Sequence, residues 1–167
     1  FWRRQMKVKI GDDLPSALVF FLDTSNLVQK KDIRDFTVGG KTIIFGLPGA
    51  FTSVCSAKHL PGFVKSYENA LKKGVQNILC LSVNDPFVMR AWGDKNNVGN
   101  KIMMLGDPFC EFTKLMGLET DKSAKGLGIR SSRYTMLVDE GKIKKISVEK
   151  DTGHCEISAA ENFLKEI

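Results

Sequence analysis

Cys55 stands where the apolar run Lys41–Leu47 gives way to small and polar residues, in GLPGAFTSVCSAKHLPGF, positions 46–63. A thiol buried in a core needs no such setting. A reactive one does, because the thiolate is the nucleophile and forms most readily near a helix N-terminus or a cation. The residues after Cys55 predict such a helix: Leu60, Phe63, Val64, Tyr67 and Leu71 recur at helical spacing, and Lys72-Lys73-Gly74 offers a stop. At 100° per residue that stripe centres roughly 135° from Cys55, so the cysteine points away from the middle of the core face, with Pro61 able to bend the geometry. The first helical turn adds unpaired N–H groups and a positive partial charge, both of which favour thiolate. Cys55 is therefore read as a working nucleophile.

The other chemistry-bearing residues narrow the choice. Four cysteines stand at 55, 80, 110 and 155 without a C-x-x-C, so neither a zinc ribbon nor a local dithiol is encoded, and only two histidines are present. No metal or other cofactor is expected. His59 follows Cys55 by four residues, about 40° around a helix, so the two side chains could meet. A Cys-His hydrolase would also need an orienting partner and an oxyanion hole, so the pair alone does not make one. His154 lies in the polar KDTGHCE stretch with no evident role.

These residues need elements to hold them. Lys41–Leu47, bounded by glycines and by Pro48-Gly49, reads as a buried strand, and Asn77–Val83 as a second. Strand, helix and strand in this span form a βαβ unit with parallel strands, and active sites gather at the carboxyl ends of such strands. Lys101–Leu105 is a third strand candidate. Asp85-Pro86 and Asp107-Pro108 each place a capping acid before a proline preset for a first helical turn. Arg133–Glu149 reads as a hairpin turning at Asp139-Glu140-Gly141, and Ser158 with Glu161 as a capping box opening a last helix through Ile167. The sum is one α/β domain over 1–167: a thioredoxin-like fold with a mixed central sheet flanked by helices, and an N-terminal extension.

Composition excludes several other classes. The longest wholly apolar run, Ala17–Leu22, is far short of the roughly 20 residues a membrane span needs. The net charge of +6 comes from scattered lysine pairs mixed with acids, densest at Arg3–Lys9, without the stripe of cations and stacking aromatics that reads nucleic acid. Neither nucleic acid nor membrane is an expected partner. The low cysteine density of a chain this long argues for a reducing, intracellular compartment, the cytoplasm or an organelle such as a mitochondrion or plastid. The opening residue is Phe1 rather than Met, which fits a removed leader.

Pro48, Thr52 and Cys55 stand as P-x-x-x-T-x-x-C, and the surrounding blocks at 46–63, 81–92 and 125–144 resemble the peroxiredoxins, thiol-dependent peroxidases, in their type II or fifth-class branch. The resemblance runs from about Lys41 to the C-terminus; Ser53, where many relatives have proline, is a small departure. It implies that Cys55 attacks a peroxide oxygen to give a sulfenic acid. Thr52 would orient the peroxide, Pro48 would shape the loop and shield the thiolate, and an arginine would stabilise the charges. That arginine matches Arg133, in Arg133-Tyr134-Thr135, with Arg130 as the competitor. Expected substrates are hydrogen peroxide and alkyl hydroperoxides. Cys80 matches a position plant members use to resolve the sulfenic acid, and Cys155 lies near where animal members do; Cys110 matches no such role. The preferred reading is a one-cysteine cycle, with glutathione and glutaredoxin, or thioredoxin, as reductant. Type II relatives commonly pair as non-covalent homodimers, which is expected here too. The rival reading is a non-catalytic redox sensor or holdase using the same thiol.

Overall fold

A computed structural model of the chain describes residues 6–167, except for the side chains of Cys55 and Ser56. The basic cluster at Arg3–Lys9 therefore lies partly outside the described residues. Nine strands are described: β1 Leu18–Leu22, β2 Val28–Asp32, β3 Lys41–Leu47, β4 Val75–Ser82, β5 Met103–Gly106, β6 Glu119–Asp121, β7 Ile129–Ser131, β8 Tyr134–Asp139 and β9 Lys142–Val148. Helices are α1 Leu60–Lys65, α2 Tyr67–Lys72, α3 Pro86–Lys95, α4 Glu111–Met116 and α5 Ala160–Lys165. Seven strands form one sheet in the order β2-β1-β5-β4-β3-β8-β9, while β6 and β7 pair separately. β3, β4 and β5 run parallel, as the βαβ reading requires, and β8 and β1 flank them antiparallel. The N-terminal extension is thus part of the sheet: the apolar run that starts at Ala17 supplies β1 from Leu18 onward.

The apolar residues divide with the period of two that a sheet imposes. Ile43, Phe45 and Leu47 of β3 face a layer containing Phe63, Ala70, Met89, Trp92 and Phe163, whereas Ile44 faces Phe112, Met116 and Val19 on the other side. Both faces of β3 are covered, which is why its sequence is almost continuously apolar. Each fully buried large side chain contributes about 1.5–3 kcal/mol through the hydrophobic effect.

Several expectations need correction. β3 keeps its predicted bounds, while other strands begin or end a residue or two away: β4 starts at Val75 rather than Asn77, and β5 at Met103 rather than Lys101. The helix after Cys55 breaks at Ser66, so Leu71 turns outward at 40% exposure and Ala70 takes the buried place. Asp85 caps α3 by accepting from the Val88 N–H, as predicted. Asp107-Pro108 does not open a helix. Cys110 adopts a left-handed conformation (φ 57°), α4 begins at Glu111, and the Asp107 carboxylate reaches forward to the Phe112 and Thr113 N–H groups and the Thr113 hydroxyl. The capping box is absent as well. Ala159 is the N-cap of α5 without a side-chain bond, α5 ends at Lys165, and the Ser158 hydroxyl donates to Glu149. The hairpin turns at Glu140 and Gly141, both with positive φ, the signature of a type I′ turn. Among the described residues, no helix is long and apolar enough to cross a membrane.

Candidate functional site

The loop that leaves the carboxyl end of β3 builds the site. Pro48 is buried, and its carbonyl accepts from Arg130 Nη1 at 3.1 Å. Gly49 leaves room for this contact: a Cβ there would lie 2.6 Å from that same nitrogen, so the Arg130 side chain would have to shift. The Ala50 N–H donates to Asn84 Oδ1 at 3.0 Å, which ties this loop to the one following β4. Phe51 takes a left-handed φ of 64°, uncommon for a bulky residue, and is half exposed. The Thr52 hydroxyl donates to the Gly49 carbonyl at 2.7 Å, which leaves its oxygen lone pairs to accept from a bound group.

Ser53 and Val54 are already helical, so the Cys55 backbone lies in the first turn, as expected. The turn is not regular. Cys55–His59 forms a π-turn before α1 begins, with Pro61 at its start. A π-turn shifts the side chains that follow out of α-helical register, so the 100°-per-residue estimate of where Cys55 points does not carry across it. The Cys55 thiol itself lies outside the described side chains.

His59 enters the core instead of standing on an open helix face. It is fully buried between Phe45 and Phe63, with ring centroids 4.9 and 5.8 Å away. Its Nδ1 is 3.1 Å from Arg133 Nη1 and its Nε2 3.1 Å from Thr135 Oγ1. Burial, and then the Arg133 charge, push its pKa well below the ordinary histidine value, so the ring is neutral.

Arg133 is only 1% exposed. It precedes β8, and because Gly46 of β3 pairs with Tyr134 of β8, it comes level with the end of β3. Its Nε and Nη2 donate to the Thr152 carbonyl at 3.2 and 3.1 Å. Arg130, the competitor, is spent on backbone carbonyls: besides Pro48 it donates from Nε to the Leu127 carbonyl at 2.8 Å. Both arginines therefore serve the same corner, Arg130 by clamping the loop backbone and Arg133 as a buried cation.

The remaining cysteines differ in setting. Cys80 is fully buried at the centre of β4 beside Phe45. Cys110 is buried, and desolvation together with Asp107 pushes its thiol up to about 11. Cys155 is nearly buried, and desolvation raises its pKa against the opposing pull of Arg133. It lines an open groove of about 580 Å³ with Lys58, Pro61 and Ala159, next to the residues that follow Cys55. His154 is exposed and pairs with Asp151 at 2.8 Å. Among the described residues, no group of three or more His, Cys, Asp or Glu is placed to hold a metal ion. Sequence reasoning gave no role to Asn84, Thr135, Thr152 or Glu149; Asn84, Thr135 and Thr152 meet the site through bonds to Ala50, His59 and Arg133, which lie 34, 76 and 19 positions away.

A thioredoxin-like sheet that sets a cysteine in the first turn of the helix after a central strand, with a buried arginine at the start of the adjacent strand, defines the class: thiol-based redox proteins. Comparison with known proteins narrows it. Residues 9–164 match the Redoxin family. The chain is 41% identical over 158 residues to Peroxiredoxin-2B of Arabidopsis thaliana, spanning 95% of this chain and 97% of that one. Similar Arabidopsis proteins include the chloroplastic Peroxiredoxin-2E (42% identical, 95% of this chain and 68% of that one) and the mitochondrial Peroxiredoxin-2F (38%, 94% and 78%). The crystal structure of reduced Prx3 from Vibrio vulnificus in complex with hydrogen peroxide superposes with a TM-score of 0.89 at 38% identity, covering 95% of this chain and 98% of that one. The chain belongs to the peroxiredoxins, in their type II branch, and is a thiol-dependent peroxidase.

Proposed function

We propose that the chain reduces hydrogen peroxide and organic hydroperoxides at Cys55, with Thr52, Pro48 and Arg133 completing the site. The Cys55 thiolate attacks one peroxide oxygen and the O–O bond breaks. The sulfur is oxidised by two electrons to the sulfenic acid, and the departing oxygen takes a proton and leaves as water or an alcohol. Thr52 supports this through its free lone pairs: with its proton committed to Gly49, the oxygen can only accept, which orients the peroxide O–H. Pro48 keeps a backbone N–H out of the site and contributes apolar cover. The observation that carries the reading is Arg133, a guanidinium held on two edges in a buried position beside the end of β3, where it favours a thiolate and the charge on the leaving oxygen.

Recovery proceeds by a one-cysteine route in which an external thiol, glutathione with glutaredoxin, or thioredoxin, condenses with the sulfenic acid, releasing water, and a second thiol then reduces the mixed disulfide. Complete burial of Cys80 in the central sheet argues against its use as an internal partner. A second route is favoured by one observation: Cys155 alone of the three lines the groove beside residues 57 and 58. A non-covalent homodimer is part of the same reading. Phe51 and Phe109, on loops at the carboxyl ends of β3 and β5, and Phe87, in the first turn of α3 after β4, are exposed at 50%, 74% and 60%. The compartment we assign is intracellular, the cytoplasm or an organelle, on the strength of the chloroplastic and mitochondrial relatives.

The test is turnover with hydrogen peroxide and a glutathione–glutaredoxin or thioredoxin couple. Repeated turnover lost in Cys55→Ser supports the enzyme; one slow oxidation per chain supports the sensor instead. Non-reducing mass analysis of Cys80→Ser and Cys155→Ser distinguishes the routes, and light scattering measures the dimer.

A further inference from the structure

The buried groups around Arg133 fix one another's hydrogen-bond direction. A guanidinium carries donors only, so His59 Nδ1 must accept from it across 3.1 Å. The ring proton then sits on Nε2 and donates to Thr135 Oγ1 at 3.1 Å, while the Thr135 hydroxyl donates onward to the Ser158 carbonyl at 2.6 Å. Ser158 is held by a carboxylate: Glu149 Oε2 accepts from the Ser158 N–H at 2.7 Å and from its hydroxyl at 2.6 Å, and from the Glu156 N–H at 2.8 Å. The Glu149 N–H donates back to the Arg133 carbonyl at 3.0 Å. The segment between these anchors presents the Thr152 carbonyl to the other edge of the same guanidinium. Glu149 is 6% exposed and His59 is fully buried. Polar groups so placed are costly unless they are satisfied as a set.

We infer that His59 and Glu149 are positioning residues for Arg133: His59 offers an unprotonated nitrogen to one edge of the guanidinium, and Glu149 ties down the loop whose Thr152 carbonyl takes the other. This rests on the reading that Arg133 acts at Cys55. Neither residue touches the peroxide. Each acts by keeping a long, rotamer-rich cation in one place, so that its charge is set before the peroxide arrives. The low pKa of the buried ring agrees with this, since a protonated imidazole would set one cation against another.

The experiment uses the reduced full chain and two readouts. One is the rate of Cys55 sulfenic acid formation after a single addition of hydrogen peroxide. The other is the pH midpoint of thiolate absorbance at 240 nm, with the Cys55→Ser signal subtracted. Arg133→Gln is the reference and is expected to slow oxidation by about 100-fold or more. His59→Phe and Glu149→Ala should each slow it about tenfold or more and raise the thiolate midpoint. His59→Asn, which restores an acceptor, and Glu149→Gln, which restores a carbonyl oxygen, should recover most of the rate. Ile44→Val, in the opposite core layer, should lower the melting temperature without moving the midpoint. If folded His59→Phe and Glu149→Ala oxidise at the parent rate with an unmoved midpoint while Arg133→Gln is slow, the positioning role is wrong and the reading of Arg133 survives. If Arg133→Gln itself keeps the parent rate, that reading fails and the positioning role falls with it. Should His59→Phe not fold, the Glu149 pair decides the question.

Discussion

The neutral, fully buried ring of His59 makes the stability of the fold depend on pH in a window where few other groups titrate. In the unfolded chain the imidazole takes up a proton near its ordinary pKa of about 6.5. In the fold, desolvation and Arg133 hold it neutral well below that pH. The unfolded state thus binds more protons as pH falls, so this contribution is fully present above about pH 6.5 and is lost on acidification. One proton corresponds to about 1.4 kcal/mol per pH unit, so going from pH 7.5 to 5 should cost the fold about 2 kcal/mol, provided the folded ring stays neutral throughout. That is a large part of a typical stability of about 5–15 kcal/mol. The depressed carboxylates Asp13, Asp23, Asp121 and Asp151 lose their contributions only below the ordinary carboxylate range. His154 acts in the opposite sense, because Asp151 raises its pKa, but it is solvent-exposed and His154→Gln removes it. In a Cys55→Ser parent, which removes the thiolate titration, urea unfolding of His154→Gln at pH 7.5, 6.5, 5.5 and 5.0, with and without His59→Phe, isolates the buried ring. The absolute stability of these variants does not matter; their slopes do. Equal slopes with and without His59 would refute the neutral-ring account.

Three further outcomes are expected. Thr52→Val should slow peroxide reduction by roughly 10- to 100-fold, while Thr52→Ser, which keeps the oxygen, should stay close to the parent in a stopped-flow assay. Gly106→Ala should cost about 1–3 kcal/mol in thermal or urea unfolding, because its Cβ would lie 2.5 Å from the Asn84 carbonyl oxygen; it should also slow peroxide reduction, since Asn84 holds Ala50. Glu140→Asn should raise stability by about 0.5 kcal/mol, because asparagine tolerates the left-handed turn position better, whereas Gly141→Ala at φ 78° should cost about 1 kcal/mol or more; paired melts measure both.

What could be read ahead in the sequence were features whose cause is local. The buried strand at Lys41–Leu47 announces itself by a continuous apolar run between glycines and a proline, and the Asp85 cap by an acid before a proline, with the N–H that donates to it three residues on. The same local grammar fails at Asp107 and Ser158, where the polar groups answer to other partners. The Asp107 carboxylate spans an extra left-handed residue to reach Thr113, and the Ser158 hydroxyl is captured by Glu149 at the far end of a loop. His59 shows the limit most clearly. Its spacing from Cys55 suggested a pair on one helix face, but a π-turn and an arginine 74 positions later decide where the ring goes. No local pattern encodes either.

The distance in sequence between Cys55 and Arg133 has a simple spatial origin. β3 and β8 are antiparallel neighbours, so the carboxyl end of one meets the amino end of the other, and the pairing of Gly46 with Tyr134 fixes the level at which they meet. Whatever residue precedes β8 must lie level with the loop that leaves β3. Gly46 is part of the same constraint: a Cβ there would come within 2.3 Å of the Tyr134 ring, so the strand pair closes at this end only if that position is bare. The hairpin of β8 and β9 was legible, and so was β3; what the residues did not declare is that the hairpin docks on β3 rather than on another strand. Once that docking is fixed, Arg133 reaches the corner through sheet register alone, and the work left to His59, Thr152 and Glu149 is to hold its side chain still.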